Sequence, residues 1–473
     1  MPLVAGVDSS MSACKVEVRD ADSGELVSSG RASHPPTTPP CSEQDPASWR
    51  AAFDAACDMA GVTGSNRPAA ISIAAQQHGM VVSDGNGHVL RPAKLWNDTE
   101  SAPDAEALVA AMDGGPAGWA AACGSVPVAA FTVTKLAWLK RCEPEVFRRV
   151  ASVRLPHDWL TGHLTGRATT DRGDASGTGW WSPAAERYRF DLLALVDDAM
   201  PWDTIVPEVL GPSAVAGTWG ATGALVAPGT GDNMAAALGL GLRPGEPALS
   251  LGTSGTAFTV SERPSADESG AVAGFADATG RYLPLICTLN ATKVTDAVAQ
   301  LLGVEGPELD DLALEAPPGA GGLVLVPYFD GERTPNRPDA RGLLTGIRSD
   351  VTRQQLARAA IEGVVCNLLD GADHLAAWEP GVASGRIVLV GGGARSAAYR
   401  QIVADLTGRP VVVPDTDELV ARGAAVQAAA VLTGTSFDDV AAAWGLGSGV
   451  TVDPDPTVDG DAVRAAYAGA STT

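Results

Sequence analysis

The segment of residues 226–260, VAPGTGDNMAAALGLGLRPGEPALSLGTSGTAFTV, constrains the fold more than any other part of the chain. Residues 228–231 cannot continue a strand or a helix, whereas the residues after Asp232 favour a helix, so we predict that a helix begins at or beside Asp232. Residues 248–251 predict a strand that runs into a hydroxyl-rich turn, and residues 257–261 predict a return strand. The segment therefore places one carboxylate at a turn-to-helix junction, followed by a β-hairpin.

The predicted hairpin turn carries the groups of an anion site. Gly252 and Gly255 allow backbone N–H groups to converge on an anion, and the hydroxyls of Thr253, Ser254 and Thr256 add donors. An anion-binding turn beside a lone carboxylate indicates phosphoryl transfer to a hydroxyl group.

A similar strand–turn–strand pattern opens the chain. Residues 3–7 predict an apolar strand that ends at Asp8, residues 9–12 form a small-residue turn, and residues 16–19 alternate as a half-buried strand. Because the pattern recurs in the second half of the chain, we predict two related domains, one in each half.

Other polar residues stand where strands end, and each has a structural alternative. Gln77 and His78 follow a predicted strand, as ligand-binding residues of open α/β sheets do, but a lone histidine is more often a satisfied structural group. Trp96 offers either a flat wall of a pocket or a buried ring beside a helix cap. The polar loop 169–177 either lines a cleft or caps neighbouring elements. The glycines of 391–393 admit a flat ligand or only a tight turn.

Length and composition set the class of protein. The chain has 473 residues, 45% of them hydrophobic, with helical and strand patterns alternating throughout, which indicates an α/β protein of two domains. Thr352 and Gln355 have the spacing of a capping box, which predicts the start of a long helix.

Charge and cysteine usage exclude several functions. The net charge of −23 repels nucleic acid and anionic membranes, so we expect neither as a partner. The seven cysteines are scattered without metal-ligand spacing, and no stretch has the length and polarity of a signal peptide or a membrane span. We therefore expect a cytoplasmic protein with reduced cysteines.

The usual nucleotide-binding motifs are absent. No lysine follows a glycine, which excludes the P-loop, and neither His-Arg-Asp nor Asp-Phe-Gly occurs, which excludes a protein kinase. The Gly-x-Gly-x-x-Gly fingerprint of dinucleotide folds is also missing. Two phosphate hairpins and a glycine-rich turn remain as the possible nucleotide site.

Taken together, the motifs resemble those of the FGGY carbohydrate kinases, a branch of the actin/hexokinase/Hsp70 ATPase fold. The resemblance runs from Val4 to about Leu432 and is carried by motifs in the family's order: GVDSS…CK at 6–15, QQHG at 76–79, LWND at 95–98, TDRGDASGT at 170–178, GTGDNMAAALGLG at 229–241, SLGTSGT at 250–256 and GGGARS at 391–396.

The resemblance implies a fold of two actin-like, ribonuclease H-like ATPase domains with a central cleft. The expected division is a domain at 1–242 with the sugar site, the first phosphate turn and the catalytic aspartate, a domain at 243–440 with the second phosphate loop and the adenosine site, and a peripheral tail at 441–473.

The resemblance also implies the role of each site residue. Asp232 is expected to be the general base that accepts the sugar hydroxyl proton, and Asp8 to hold Mg²⁺ with the ATP phosphates. The sugar is expected at Gln77, His78, Trp96 and Asn233. The residues expected at phosphate and adenosine are Ser9, Ser10, Ser12, Lys15, Gly252, Thr253, Ser254, Gly255, Thr256, Gly391, Gly392, Gly393 and Ala394.

Within the family, the resemblance favours the branch that uses ATP to phosphorylate D-xylulose, giving D-xylulose 5-phosphate. A kinase for ribulose, ribitol or glycerol and a non-catalytic actin-like sugar sensor are the alternatives, and a homodimer is possible. Two positions depart from the family pattern. Met11 stands where the first phosphate turn usually has a hydroxyl residue, and Gly173 stands where serine is familiar.

Overall fold

The computed structural model of the chain describes residues 2–415 and 418–472, which divide into two compact units. The first unit contains the described residues of 1–242, 263–283 and 418–446, and the second contains those of 243–262, 284–417 and 447–473. The three-part domain division expected from the sequence stays a prediction.

Helices and strands alternate along the chain, which confirms the α/β class. The strands are β1 Leu3–Ser9, β2 Ala13–Asp20, β3 Leu26–Ser33, β4 Glu43–Gln44, β5 Ala70–Ala75, β6 Val81–Ser83, β7 Ala93–Lys94, β8 Ser152–Arg154, β9 Thr169–Asp171, β10 Trp181–Ser182, β11 Arg187–Tyr188, β12 Glu208–Leu210, β13 Gly217–Trp219, β14 Ala224–Val226, β15 Thr230–Gly231, β16 Pro247–Leu251, β17 Gly255–Thr259, β18 Ala273–Ala276, β19 Tyr282–Thr288, β20 Val324–Val326, β21 Leu343–Thr345, β22 Ile387–Val390, β23 Val411–Pro414 and β24 Gly449–Val452.

The α-helices are α1 Pro46–Ala60, α2 Ala102–Ala111, α3 Gly115–Cys123, α4 Thr132–Cys142, α5 Pro144–Phe147, α6 Pro156–Thr165, α7 Arg172–Ser176, α8 Phe190–Ala194, α9 Trp202–Ile205, α10 Asp232–Leu240, α11 Thr292–Leu302, α12 Gly306–Glu315, α13 Arg353–Leu375, α14 Ala397–Thr407, α15 Leu419–Thr433, α16 Phe437–Ala443 and α17 Gly460–Ser471. Three short 3₁₀ helices cover Ala320–Gly322, Pro380–Ala383 and Gly392–Arg395.

The first unit is built on a sheet with strand order β13-β14-β5-β1-β2-β3. β1, β2 and β3 form an antiparallel meander, whereas β5 is parallel to β1 and β14 is parallel to β5. β15 adds two residues beside the end of β5, with Thr230 opposite Ala74. Asp8 is also opposite Ala74, on the other side of β5. The carboxyl ends of these strands therefore bring three predicted site segments to one edge of the sheet.

Helix α15 packs on this sheet and on α10 at unusually short distance, because glycines line the contact. A Cβ atom at Gly6 of β1 would lie 1.9 Å from the carbonyl oxygen of Ala421. A Cβ atom at Gly423 would lie 1.8 Å from the carbonyl oxygen of Ala235. No real Cβ fits at either distance, so both crossings require glycine.

The second unit repeats the topology of the first. Its sheet has the order β19-β17-β16-β22-β23-β24, in which β16, β17 and β19 form an antiparallel meander and β22 and β23 continue in parallel. The recurrence of the strand–turn–strand pattern predicted from the sequence is thereby confirmed.

The long helix predicted from its capping box is α13. The Thr352 hydroxyl accepts from the Gln355 amide at 3.2 Å, and the Gln355 side chain accepts from the Thr352 amide at 2.9 Å. The last helix, α17, lies on the second unit: Tyr467 is buried and Arg464 is paired with Asp370 and Asp373. Among the described residues no helix is long and apolar enough to cross a membrane.

Candidate active site

Asp8 lies near the end of β1, where its carboxylate faces Lys15 of β2. The two residues are opposite each other in the hairpin register, and Lys15 Nζ lies 3.5 Å from Asp8 Oδ2. Lys15 is also paired with Glu418 at 2.7 Å. Burial raises the pKa of Asp8 to about 6, although the charge of Lys15 opposes the shift. Asp8 Oδ1 is buried without a hydrogen-bond partner among the described residues, and an unpaired carboxylate oxygen suits a cation or a donor from a ligand.

Asp232 is the first residue of α10, as the sequence predicts. Gly231 before it is extended, so the carboxylate stands at the junction between β15 and the helix. The Asp232 Oδ1 atom accepts from the Asn233 backbone amide at 2.9 Å and from the Asn233 side-chain amide at 3.1 Å. The surrounding protein raises the pKa of Asp232 to about 7, and the negative charges of Asp8 and Asp174 add to the shift. A carboxyl that titrates near neutral pH is a suitable general base.

Two of the residues expected at the sugar are linked to Asp232, Asn233 directly and Gln77 through Asn233. Asn233 Nδ2 donates to Gln77 Oε1 at 2.9 Å, while it also contacts the Asp232 carboxylate. Gln77 Nε2 is buried with no partner among the described residues. The amide of Gln77 is therefore oriented by Asn233, and its own N–H groups remain for a ligand or water.

His78 lies beside an aromatic wall. Its Nδ1 lies 2.7 Å from the Gly177 carbonyl oxygen, and its ring stacks on Phe131 with centroids 4.9 Å apart. Phe275 lies at 5.7 Å on the same ring. His78 has a φ of 65°, a strained value for a residue other than glycine. Such strain is common at functional sites and is compatible with a binding role.

Trp96 is 41% exposed, so its ring is open to solvent rather than buried in the core. The turn that carries it is held by Lys94, which is buried and paired with Asp98 at 2.9 Å and with Glu100 at 2.5 Å. Cys41, Glu43, Asp98 and Glu100 have the spacing of a cation site. The Lys94 ammonium, which also lies 3.1 Å from Glu43, supplies the positive charge there.

The turn that the resemblance assigns to phosphate binding in the first unit follows β1 at residues 10–12. Ser9 is the last residue of the strand, and the amide and hydroxyl of Ser10 both donate to the Ala13 carbonyl at 3.1 Å. Ser12 is exposed. Met11 packs against the apolar core of the first unit. The methionine at this position therefore contributes packing in place of a side-chain donor.

Behind Asp232, a buried charged cluster was not recognised from the sequence. His157 Nδ1 lies 2.6 Å from Asp174 Oδ2, and both side chains are fully buried. Burial alone would lower the pKa of His157, but the carboxylates of Asp158, Asp174 and Asp171 raise it to about 10. His157 opens α6 and Asp174 lies in the polar loop, so only the folded chain brings them together.

The polar loop for which the sequence left two alternatives caps a neighbouring helix, and its role in lining a cleft stays a prediction. Asp171 caps α7 by accepting from the backbone amides of Gly173 and Asp174, each at 2.9 Å, and it also accepts from the Thr230 hydroxyl at 2.8 Å. A Cβ atom at Gly173 would lie 2.9 Å from side-chain atoms of Asp171, Met234 and Thr230. A larger residue at position 173 would therefore require these side chains to shift.

In the second unit, the turn predicted to be the second phosphate loop lies beside the glycine-rich segment 391–393. Residues 252–254 form the turn, with Thr253 and Ser254 exposed, whereas Gly255 and Thr256 lie in β17. Thr292 joins the two segments: its amide donates to the Gly252 carbonyl at 2.9 Å, and its side chain lies against Gly393.

Gly391 follows β22 with a φ of 87°, and Gly392 and Gly393 begin a 3₁₀ helix with Ala394 inside it. This segment borders a cleft of about 560 Å³, whose other walls are Thr292, Thr295, Asp296, Ala299, Gly306, Pro307, Leu309, Asp310, Asp311, Ile361, Arg395, Ser396, Ala397 and Tyr399. The volume lies within the usual range of ligand pockets, and the adenosine site at this segment stays a prediction.

Comparison with known proteins identifies the family. Residues 3–239 match the N-terminal domain of the FGGY family of carbohydrate kinases, and residues 248–432 match its C-terminal domain. The chain belongs to the FGGY family of carbohydrate kinases.

Several known proteins are similar to this chain over almost its full length. A xylulose kinase of Streptomyces coelicolor is 50% identical over 461 residues, which cover 96% of this chain and 92% of that protein. A xylulose kinase of Streptomyces rubiginosus is 50% identical over 459 residues, covering 95% and 92%. The crystal structure of a xylulose kinase from Bifidobacterium adolescentis is 43% identical, covers 99% of both chains and has a TM-score of 0.88. The FGGY chain therefore has the actin-like, ribonuclease H-like ATPase fold that its motifs imply.

Proposed function

We propose that this FGGY kinase transfers the terminal phosphoryl group of ATP to D-xylulose, giving D-xylulose 5-phosphate. Two relatives named xylulose kinase are 50% identical over more than nine-tenths of the chain, and the motifs are in the same order as in the family. The observation that carries the proposal is the junction at Asp232, where a carboxylate with a pKa near 7 contacts Asn233, which in turn binds Gln77.

In the proposed mechanism, Asp232 accepts the proton of the reacting hydroxyl. Gln77 and Asn233 hold the sugar by hydrogen bonds, and His78 and Trp96 provide walls of the sugar pocket. In a loose phosphoryl-transfer transition state, orienting the attacking oxygen matters more than removing its proton early. The hydrogen bonds that hold Asp232 against Asn233 therefore matter as much as the basicity of Asp232.

The phosphates would be held by the two hairpin turns. The backbone amides and hydroxyls of Ser9, Ser10 and Ser12, with Lys15, serve the first turn, and residues 252–256 serve the second. The adenosine would bind at 391–394, beside the cleft of the second unit.

Asp8 fits the role of a Mg²⁺ ligand. It is a buried carboxylate with one oxygen that has no hydrogen-bond partner in the described part of the chain, and hard oxygen ligands are those that Mg²⁺ prefers. Mg²⁺ bound with ATP would neutralise charge that develops on the phosphates during transfer. The same neutralisation by Mg²⁺ would help a chain with a net charge of −23 to bind a polyanion.

The test is coupled ADP release by the purified protein across a panel of D-xylulose, D-ribulose, ribitol and glycerol. We expect the highest kcat/KM for D-xylulose, because a pocket whose polar groups match a set of hydroxyls discriminates strongly against analogues that leave them unpaired. A higher kcat/KM for another sugar or polyol would reassign the substrate. Absence of ADP release with every compound would favour the non-catalytic sensor.

A further inference from the structure

Gln427 is a fully buried polar residue of α15 that lies outside every motif discussed above. Its Oε1 accepts from the Gly229 backbone amide at 3.1 Å, and its Nε2 donates to the Gly229 carbonyl at 3.1 Å. Oε1 also accepts from the Ser72 hydroxyl of β5 at 2.6 Å. The Gln427 side chain therefore hydrogen-bonds both backbone polar groups of Gly229 and links this residue to strand β5.

Gly229 belongs to the turn from which Asp232 emerges, and its conformation depends on external contacts. Its φ is 81°, and a Cβ atom there would lie 2.5 Å from the His157 ring and 2.6 Å from the Ile73 carbonyl. A glycine in this region has many alternative conformations that other residues lack. The paired hydrogen bonds of Gln427 select one of them.

Helix α15 is itself fixed against both elements that carry the catalytic carboxylates. Gly423 gives it close contact with α10, and Gly6 gives it close contact with β1, as described above. Glu418, just before the helix, is paired with Lys15, which faces Asp8. A group held on this helix is thus held in a constant position relative to Asp8 and to the body of α10.

We propose that Gln427 is a positioning residue for phosphoryl transfer, which fixes the 228–231 turn through Gly229 and thereby sets the direction of the Asp232 carboxylate. The inference rests on the proposed role of Asp232. Gln427 touches neither substrate nor the reacting atoms. Its effect is transmitted through the backbone of the two residues, Thr230 and Gly231, that separate Gly229 from Asp232.

The test is a double-mutant comparison of kcat with Gln427→Met and Asp232→Ala. Methionine has a similar length but cannot make the paired hydrogen bonds, so we expect kcat to fall by up to about 100-fold, as small displacements of a catalytic group do. The KM values for sugar and ATP should stay near those of the wild type. In the Asp232→Ala background, adding Gln427→Met should lower kcat little further, because no carboxylate remains to be positioned.

Two further variants separate positioning from stability. Gln427→Glu keeps the shape and the acceptor for Gly229 N–H but opposes a carboxylate to the Gly229 carbonyl, and it should lower kcat in the same way. As a matched control, Asn66→Leu removes an amide that donates to Ser28 Oγ and the Ala60 carbonyl, each at 3.0 Å, and it should lower the thermal unfolding temperature without changing kcat.

The outcomes are distinct for this inference and for the proposed function. A wild-type kcat in Asp232→Ala would show that Asp232 is not the base, and it would overturn this inference as well. A strong effect of Asp232→Ala with unchanged kcat in folded Gln427→Met would overturn the positioning role alone. An equal loss from Gln427→Met in both backgrounds, or loss of folding in both Gln427 variants, would make Gln427 a structural residue and overturn the proposal.

Discussion

The environment of Asp232 disfavours the ionised form that its proposed role as a base requires. In its proposed role as the base it must be ionised, yet its surroundings and the charges of Asp8 and Asp174 raise its pKa to about 7. The two hydrogen bonds from Asn233 to Asp232 Oδ1 oppose this shift only in part. Two predictions at the scale of single residues follow from this balance.

The first prediction concerns the pH dependence of activity. A base works only when deprotonated, so kcat/KM for the sugar should fall below about pH 7 and level off above it. Asp174→Asn removes a negative charge that raises the pKa of Asp232, and it leaves the positive charge of His157 less compensated. Both changes should move the acid limb to lower pH. An unmoved or upward-shifted limb in this variant would contradict the electrostatic account.

The second prediction concerns stability. Because the pKa of Asp232 is about 7 in the folded state and 3.8 is its ordinary value, the unfolded chain loses the proton first, and folding stability decreases as pH rises between these values. Asp232→Asn removes this titration. The difference between the unfolding temperatures of the variant and the wild type should therefore increase in favour of the variant as pH is raised from 4 towards 8. A gain that does not change with pH would contradict the assignment.

At the scale of elements, the crossing of α10 and α15 is the contact that glycine makes possible. A Cβ atom at Gly423 would lie 1.8 Å from the Ala235 carbonyl oxygen and 2.8 Å from the Gly239 amide nitrogen. These are backbone atoms of α10 and cannot move aside without moving the helix that begins at Asp232.

We therefore predict that Gly423→Ala lowers the free energy of unfolding by at least about 1–3 kcal/mol, the usual cost of overpacking, and lowers kcat as well. The measurement is chemical denaturation together with ADP release. Gly469→Ala in α17 is the matched control, since no other part of the described chain beyond its neighbours and its own helix backbone lies within 4 Å of its Cβ position. Alanine there should stabilise the helix by up to about 1 kcal/mol. Equal effects of the two substitutions would contradict the packing account.

The elements that the sequence predicts are those specified by local chemistry. The start of α10 at Asp232 follows from the change from turn residues to helix formers, and the start of α13 follows from the Thr352 and Gln355 capping box. Both signals are contained within a few residues, so no tertiary information is needed to read them.

The contacts that the sequence does not predict join distant segments. Gln427 lies in an alanine-rich helix and contacts Gly229, 198 residues away. His157 and Asp174 are ordinary residues of a helix start and a polar loop until the fold buries them together. The close approach of α15 to β1 likewise depends on Gly6, whose place in the strand and in the 6–15 motif does not reveal its contact with Ala421. Partners of this kind are set by tertiary packing and leave no local pattern.

At the scale of the whole molecule, the net charge of −23 acts on the two substrates differently. ATP is an anion and is repelled, whereas a ketose is neutral. Raising ionic strength from 0.01 to 0.15 M shortens the Debye length from about 30 Å to about 8 Å. We therefore predict that the KM for Mg–ATP falls over this range while the KM for the sugar stays constant. A KM for Mg–ATP that rises with salt would show that local positive charge dominates the approach of the nucleotide.

The central claim is that the protein phosphorylates D-xylulose with Asp232 as the general base. The most direct measurement is kcat for D-xylulose-dependent ADP release by Asp232→Ala beside the wild type, with folding of both checked by circular dichroism. We predict a folded variant whose kcat is lower by about 10²–10⁴-fold, the usual effect of removing a positioned base. Turnover near the wild-type value in the folded variant would contradict the claim.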